Sequence, residues 1–298
     1  MRNSTLLLYA IAFFIFSISC DKSDTDLNSD SKDGFNLVIN DTIIYNSTHI
    51  NFYDFSSQLI YLKAGNSFSY SSYGAFSIWV GNEEIYTGQI VPGYSSMLFL
   101  GPVIHCAPTF YKDYIIPISF NQLTDNAGNS NDDPRYDTRI IEALKKFNQY
   151  KKGLSGEILS VQKIPDSKVK ITIQLTNPDN DNLLLPDPDK MGLELFHYFT
   201  NGLIIIDSLN NTYSHHLTFE EPVPWDSWNI EWLTAINGDE TKTISITYND
   251  FDNIPSGQYI AWFTYPGLGI QIEREELQQD NGRIWLGQLN TSKLITIE

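Results

Sequence analysis

The chain has 298 residues, of which 42% are apolar and 13% aromatic, and its formal net charge is −17. This apolar content is sufficient for a packed core and excludes an intrinsically disordered chain. The strongly acidic composition repels phosphate backbones, so we expect no nucleic-acid partner.

The N-terminus carries the features of an export signal. Arg2 provides a basic start, residues 6–16 are an almost unbroken apolar run, and the small residues Ser17 and Ser19 come just before Cys20. About 11 continuous apolar residues are too few to cross a membrane, for which about 20 are needed. Residues 1–19 are therefore predicted to be a cleaved signal peptide.

A cysteine that directly follows small residues at the end of a signal peptide resembles the lipobox of bacterial lipoproteins. The resemblance implies that Cys20 is acylated, becomes the first residue of the mature chain and anchors the protein to a membrane. Ser17 departs from the common pattern, which has leucine three residues before the cysteine. The alternative is an ordinary signal peptide in which the cysteine is coincidental.

Residues 20–34 are polar, small and acidic, which predicts a solvated, flexible tether. Acidic residues just after an acylated cysteine resemble the surface-export signal of Bacteroidetes-type lipoproteins. That resemblance implies a location at the outer membrane or the cell surface. In the enterobacterial type of sorting, Asp21 would instead retain the protein at the inner membrane.

Residues 35–152 are predicted to form a β-rich domain that ends in one helix. Two β-rich runs, Phe76–Val80 and Glu83–Tyr86, flank Gly81-Asn82 and predict a hairpin. A helix is predicted near residues 134–152 because Asp133-Pro134 is a typical helix start and Gly153 a typical stop. Apolar residues between them recur at helical spacing: Ile140, Ile141, Leu144 and Phe147.

Residues 154–298 have a different, strand-like pattern. Polar and apolar residues alternate through Lys168–Thr176 and again through Thr243–Tyr248, as expected of half-buried strands. The segment from Ile254 to Tyr259, which leads into another β-rich run, resembles the corner before a late strand in fibronectin-III and other immunoglobulin-like sandwiches. The resemblance implies that Tyr259 closes this corner and that 154–298 is an immunoglobulin-like β-sandwich, although no paired cysteines are present. The predicted fold class is therefore mainly β.

No cofactor is expected, and the one candidate is a structural calcium ion in acidic loops of the second domain. Calcium binds several carboxylate and carbonyl oxygens at close range. The same residue types also form ordinary surface turns, and none of the loops has EF-hand spacing. The candidate ligands are Asp179, Asp181, Asp187 and Asp189.

The segment 220–232 has the composition of a ligand-binding surface. Three tryptophans lie beside acidic residues and are bounded by prolines. Flat aromatic rings stack on sugars while carboxylates bind hydroxyls, so a glycan or a peptide is the expected ligand. The alternative is that the indoles form a small core cluster under a long loop. The candidate residues are Trp225, Trp228, Trp232, Glu220 and Glu221.

We therefore expect a membrane-anchored, exported lipoprotein that acts as a binding or adhesion module for a glycan, a host surface or an envelope partner. Motifs for a phosphate-binding loop, a nucleophile elbow or a zinc-protease helix are absent from the sequence. A hydrolase is one alternative, since Glu220 or Glu221 would serve as half of a glycosidase carboxylate pair. A structural accessory subunit of an envelope complex is the other.

Overall fold

The protein is described by a computed structural model that covers four ranges of the chain: 34–41, 43–107, 111–121 and 133–298. The predicted signal peptide, Cys20 and nearly all of the predicted tether lie outside these ranges. Within them the chain is mainly β, as expected. No helix in the described ranges is long and apolar enough to cross a membrane.

The first half is built on one sheet. Its strands are β1 (Phe35–Ile39), β2 (Ile43–Tyr45), β3 (Ile50–Asp54), β4 (Leu59–Leu62), β5 (Gly74–Val80), β6 (Glu83–Pro92), β7 (Gly101–Cys106), β8 (Ile115–Asn121) and β9 (Tyr150–Lys151). They are ordered β2-β1-β5-β6-β7-β8-β4-β3-β9. The predicted hairpin is confirmed as the antiparallel pair β5 and β6. Gly81 has a φ of 61° in its turn, a conformation that glycine adopts without strain.

The predicted helix is present but shorter than expected. Helix α1 spans Thr138–Lys146 and follows a short 3-10 helix at Pro134–Tyr136. Asp137 caps α1 by accepting a hydrogen bond from the Arg139 backbone N–H at 2.9 Å. The helix ends at Lys146 because Asn148 adopts a φ of 56°, and the chain then enters β9. The stop signal was thus misread, since Gly153 lies beyond this strand.

The second half contains three smaller sheets. Its strands are β10 (Ser155–Ile164), β11 (Lys168–Thr176), β12 (Leu183–Pro186), β13 (Leu203–Ile206), β14 (Thr212–Ser214), β15 (Leu233–Ile236), β16 (Thr241–Tyr248), β17 (Gly257–Pro266), β18 (Gln278–Gln279), β19 (Gly282–Ile284) and β20 (Gln288–Ile297). The sheets are ordered β10-β11-β16, β14-β13-β17-β20 and β15-β12-β19-β18. The alternation predicted for 168–176 is confirmed, because buried and partly buried residues alternate along β11.

Short helices that the sequence pattern did not predict connect these strands. They are α2 (Pro188–Met191), α3 (Leu193–Phe196), α4 (Arg274–Leu277) and a 3-10 helix at Ile230–Trp232. Each of the α-helices has only four residues, which is too short for apolar periodicity to develop in the sequence.

Tyr259 makes the backbone bond expected of a tyrosine that closes a corner. It lies on β17, is buried, and its hydroxyl donates a hydrogen bond to the Pro255 carbonyl at 2.7 Å. The bond ties the start of β17 to the preceding turn. This local prediction is therefore confirmed.

The two halves share a hydrophobic cluster that surrounds a buried ion pair. The cluster joins residues such as Phe52 and Tyr61 of the first half to Leu184 and other residues of the second. Within it, Arg283 Nη2 donates a hydrogen bond to Asp54 Oδ2 at 3.1 Å, and both side chains are almost inaccessible to solvent. The guanidinium also lies 4.7 Å from the Phe52 ring centroid and 5.6 Å from that of Tyr61.

The linker between the halves is fixed by carboxylates. Asp179 accepts hydrogen bonds from the backbone N–H groups of Lys152 and Gly153, each at 2.8 Å. Gly153 has a φ of 74°, and a Cβ there would clash with Ser56 Oγ and Asp54 Oδ1. Only glycine therefore fits where the linker passes Asp54.

We predict that Asp54→Ala lowers the free energy of unfolding by about 3–5 kcal/mol, because it leaves the Arg283 guanidinium buried without a counter-charge. Chemical denaturation followed by tryptophan fluorescence measures the loss. The matched control is the double variant Asp54→Leu with Arg283→Met, which removes both charges and should recover most of the stability. A loss below about 1 kcal/mol for Asp54→Ala would contradict a buried pair.

Candidate functional site

The segment that carries the tryptophans is shaped by a turn and a cap. The Ser227 N–H donates a hydrogen bond to the Pro224 carbonyl at 2.8 Å, which closes a tight turn around Trp225. Two residues farther on, Asn229 Oδ1 accepts a hydrogen bond from the Glu231 N–H at 2.9 Å and caps the 3-10 helix. The turn and the cap set the separation between Trp225 and Trp228.

The three indoles have different environments. Trp225 is 67% exposed, whereas Trp228 and Trp232 are half-buried. Trp228 packs against the cluster shared by the two halves, and Trp232 packs against both that cluster and the core of the second half. Trp232 therefore packs as a core residue would, whereas the ring of Trp225 faces solvent.

Trp225 and Trp228 line a cleft of about 880 Å³, which we call the tryptophan cleft. Its volume lies in the range of small-molecule binding sites. The cleft brings together segments that are distant in the sequence. Its side chains include Lys112, Trp225, Asp226, Trp228, Glu273 and Glu276.

The charged groups of the tryptophan cleft are held in place by one another. Lys112 Nζ lies 2.6 Å from Glu273 Oε1. Glu273 and Glu276 form the capping box at the start of α4, in which the Glu273 N–H donates a hydrogen bond to Glu276 Oε2 at 3.1 Å. With Asp226, the cleft has three carboxylates and one ammonium, so it favours neutral or cationic ligands over anionic ones.

Glu220 and Glu221 do not line the tryptophan cleft. Both are exposed, and the Glu220 N–H donates a hydrogen bond to the Glu194 carbonyl at 3.0 Å, beside α3. The carboxylates of the cleft come instead from Asp226, Glu273 and Glu276. Nothing in the sequence near 273–276 pointed to this role, because the acidic residues of a helix start are typical of capping alone.

Three of the four calcium candidates, Asp179, Asp181 and Asp187, have protein partners for their carboxylates. Asp179 binds the linker as described above, and Asp181 pairs with Lys151. Asp187 caps α2 by accepting a hydrogen bond from the Asp189 N–H at 3.0 Å. In the described part of the chain, no group of three or more His, Cys, Asp or Glu residues is arranged to hold a metal ion.

A histidine cluster that the sequence did not reveal lies at the edge of the second-half core. The ring of His197 lies 4.3 Å from that of His215, which stacks on Tyr248 at 4.9 Å. Burial, the nearby His215 and, in the opposite sense, a hydrogen bond with the Thr200 carbonyl together lower the pKa of His197 to about 4. Burial also lowers the pKa of His215. Both rings are therefore neutral in the folded protein near pH 7.

Comparison with known proteins gives no assignment. No protein-family model and no curated protein sequence matches the chain. Two solved structures of β-glucosidase from Kluyveromyces marxianus are similar to part of this chain; one is selenomethionine-labelled and the other is in complex with glucose. Each match has 12% sequence identity and covers 49% of this chain, and the TM-scores are 0.20 and 0.21. The match spans only 14% of the β-glucosidase chain. The Northeast Structural Genomics Consortium target SoR45 is 14% identical in sequence and has a TM-score of 0.19. That match covers 48% of this chain and 82% of the SoR45 chain.

We predict that alanine substitution of the two tryptophans of the cleft changes the stability by different amounts. Trp228→Ala should lower the free energy of unfolding by about 2 kcal/mol, since half of the indole packs on the shared cluster. Trp225→Ala should change it by no more than about 0.5 kcal/mol, because its ring is exposed. Parallel denaturation curves of the two variants measure both values. Equal losses would contradict the different packing of the two rings.

We predict that the protein loses stability as the pH falls from 6.5 towards 4. The folded-state pKa of His197 is about 4 against an ordinary value of 6.5, so the unfolded chain takes up more protons in this window. The expected loss is on the order of 2–3 kcal/mol by about pH 4, and is absent above the ordinary value. Melting temperatures between about pH 5 and 6.5 measure it with little contribution from carboxylates.

The control for this pH dependence is a pair of histidine variants. His197→Phe should reduce the slope of the melting temperature across the window, and the slope that remains is the share of His215, whose pKa burial also lowers. His105→Gln, at an exposed histidine of β7, should keep the wild-type slope. A full wild-type slope in His197→Phe would show that other groups cause the pH dependence.

Proposed function

We propose that the protein is an exported binding module whose ligand surface is the tryptophan cleft. The observation that supports this most strongly is the placing of Trp225 and Trp228 around one cleft with fixed carboxylates. Trp225 is 67% exposed to solvent. Aromatic residues are enriched where proteins bind their partners.

The chemistry of the cleft favours a glycan. An indole offers a flat apolar face for a sugar ring, while carboxylates and Lys112 provide acceptors and donors for hydroxyl groups. The net negative charge of the cleft disfavours uronic acids and sulfated sugars. The expected ligand is therefore a neutral or amino sugar on a host or envelope surface. The proposed binding uses side chains alone and does not involve calcium.

We infer that seven strands of the second half form an immunoglobulin-like sandwich. The inference is supported by the strand order: β10, β11 and β16 share one sheet, and β13, β14, β17 and β20 share another. The first sheet corresponds to strands A, B and E of immunoglobulin folds and the second to C, F and G, with β14 added beside β13. The Tyr259 bond to Pro255 further supports it. The β12, β15, β18 and β19 sheet is then an insertion between sandwich strands.

The binding proposal predicts that glycan binding depends on the exposed Trp225 and not on the exposed Trp262. Trp225→Ala should weaken binding to a neutral glycan by about threefold to tenfold, the value of aromatic stacking. Trp262→Ala is the matched control, since Trp262 is also exposed but lies on β17 away from the cleft. A screen of immobilised neutral glycans, followed by titration of each hit, measures the effect. Equal binding by both variants would contradict the proposed surface.

We propose further that Cys20 carries the lipid that anchors the mature chain to the outer membrane or cell surface. The support is the sequence of residues 1–20 and the acidic residues that follow. Cys20→Ala should abolish labelling by a radioactive fatty acid and release the protein from the membrane fraction. A wild-type mature protein that is soluble and begins at another residue would contradict the anchor.

A further inference from the structure

Two other clefts adjoin the tryptophan cleft along the boundary between the halves. The first, which we call the junction cleft, has a volume of about 850 Å³ and lies where β8 meets the starts of β10 and β20. The second, which we call the middle cleft, has a volume of about 450 Å³ and lies between the β8 start and the segment before α4. Both exceed the smallest volumes typical of ligand sites.

Shared lining residues connect the three clefts. Lys112, Gln271 and Glu273 line both the tryptophan cleft and the middle cleft. Tyr111 lines both the middle cleft and the junction cleft. Gly93 lines the tryptophan cleft and the junction cleft directly. The three clefts are therefore neighbours on the protein surface.

The junction cleft differs in charge from the tryptophan cleft. Its one lining guanidinium, that of Arg135, is neutralised by Asp133 at 2.6 Å and donates a further hydrogen bond to the Ile118 carbonyl at 2.6 Å. The rest of the lining combines hydroxyls, amides, the imidazole of His105 and aromatic rings with aliphatic side chains such as Leu59 and Leu289. The polar and aromatic residues include Tyr111, Ser119, Phe120, Tyr136, Gln288 and Asn290. Such a surface suits an uncharged ligand that presents both hydroxyl groups and apolar faces, as sugar rings do.

We propose that the three clefts form one groove that binds an extended, neutral oligosaccharide across the boundary between the halves. This proposal rests on the proposed function and specifies the length and class of its ligand. One end of the chain stacks on Trp225, and the other end lies against Tyr136, which is 54% exposed. Hydroxyl and amide side chains between them bind the sugar hydroxyls.

An extended peptide is the alternative ligand for this groove. Peptides that lie along a sheet use the free backbone groups of an edge strand. The edge strands β10 and β20 line the junction cleft, so that cleft offers strand edges as well as side chains. The tryptophan cleft is lined by residues outside the strands, and its aromatic and polar side chains are the types that recognise sugars, which favours the oligosaccharide.

Gly93 provides a variant that divides the groove. It is exposed, and it is not among the glycines with positive φ, so a larger residue there does not strain the backbone. Gly93→Trp places an indole where the tryptophan cleft meets the junction cleft. Gly93→Ala is the matched control, and a melting curve for each variant checks that the fold is kept.

The test compares short and long ligands by calorimetric titration. The probes are disaccharides and hexasaccharides of the cello, xylo, laminari, malto and manno series. In at least one series we expect the hexasaccharide to bind the wild-type chain at least about tenfold more tightly than the disaccharide. Gly93→Trp should reduce this difference to no more than about twofold because it blocks the passage between the clefts, and Gly93→Ala should keep the tenfold difference.

The outcomes that overturn the groove differ from those that overturn the proposed function. The groove proposal alone is overturned if disaccharide and hexasaccharide bind with equal Kd values. It is also overturned if Gly93→Trp leaves the hexasaccharide Kd unchanged. Failure of every oligosaccharide to bind overturns both. Tight binding of a neutral Ser/Thr/Gly hexapeptide in place of the sugars overturns the ligand class.

Discussion

The contact between Asp54 and Arg283 decides how the two halves of the chain meet. A guanidinium without a counter-charge is costly to bury, and Arg283 is charged at every relevant pH. The pair is compensated by the stacking of the guanidinium on Phe52 and Tyr61 and by the hydrogen bond from Ser56 Oγ to Asp54 Oδ1 at 2.7 Å. The groove runs along the boundary that this pair fixes, so its shape depends on the pair.

The acidic residues of the chain perform different tasks, although they look alike in the sequence. Asp54 balances a buried charge, and Asp179 binds backbone N–H groups of the linker. Glu273 and Glu276 cap a helix and at the same time face a cleft. Some of the acidic residues behind the net charge of −17 therefore make specific ion pairs, hydrogen bonds and helix caps, and the others give the protein an acidic surface.

The two properties that the cleft combines are exposure and rigidity. Trp225 is exposed on a turn, yet the neighbouring Trp228 packs on the shared cluster and anchors that turn. Lys112 and Glu273 pair at 2.6 Å, which favours one arrangement of the two side chains, although Glu273 is largely exposed. Groups that are already in place lose less conformational entropy on binding, which favours affinity.

The sequence alone determined the features that depend on neighbouring residues. The hairpin at Gly81, the alternation along β11 and the hydroxyl bond of Tyr259 follow from contacts over a few residues or from strand periodicity. Only the tertiary structure decided that Trp225 is exposed and Trp232 packed, and that Lys112 faces Glu273. It also decided the pairing of Asp54 with Arg283, 229 residues away. Such contacts depend on how whole sheets pack, and no local pattern records which distant side chain will be the partner.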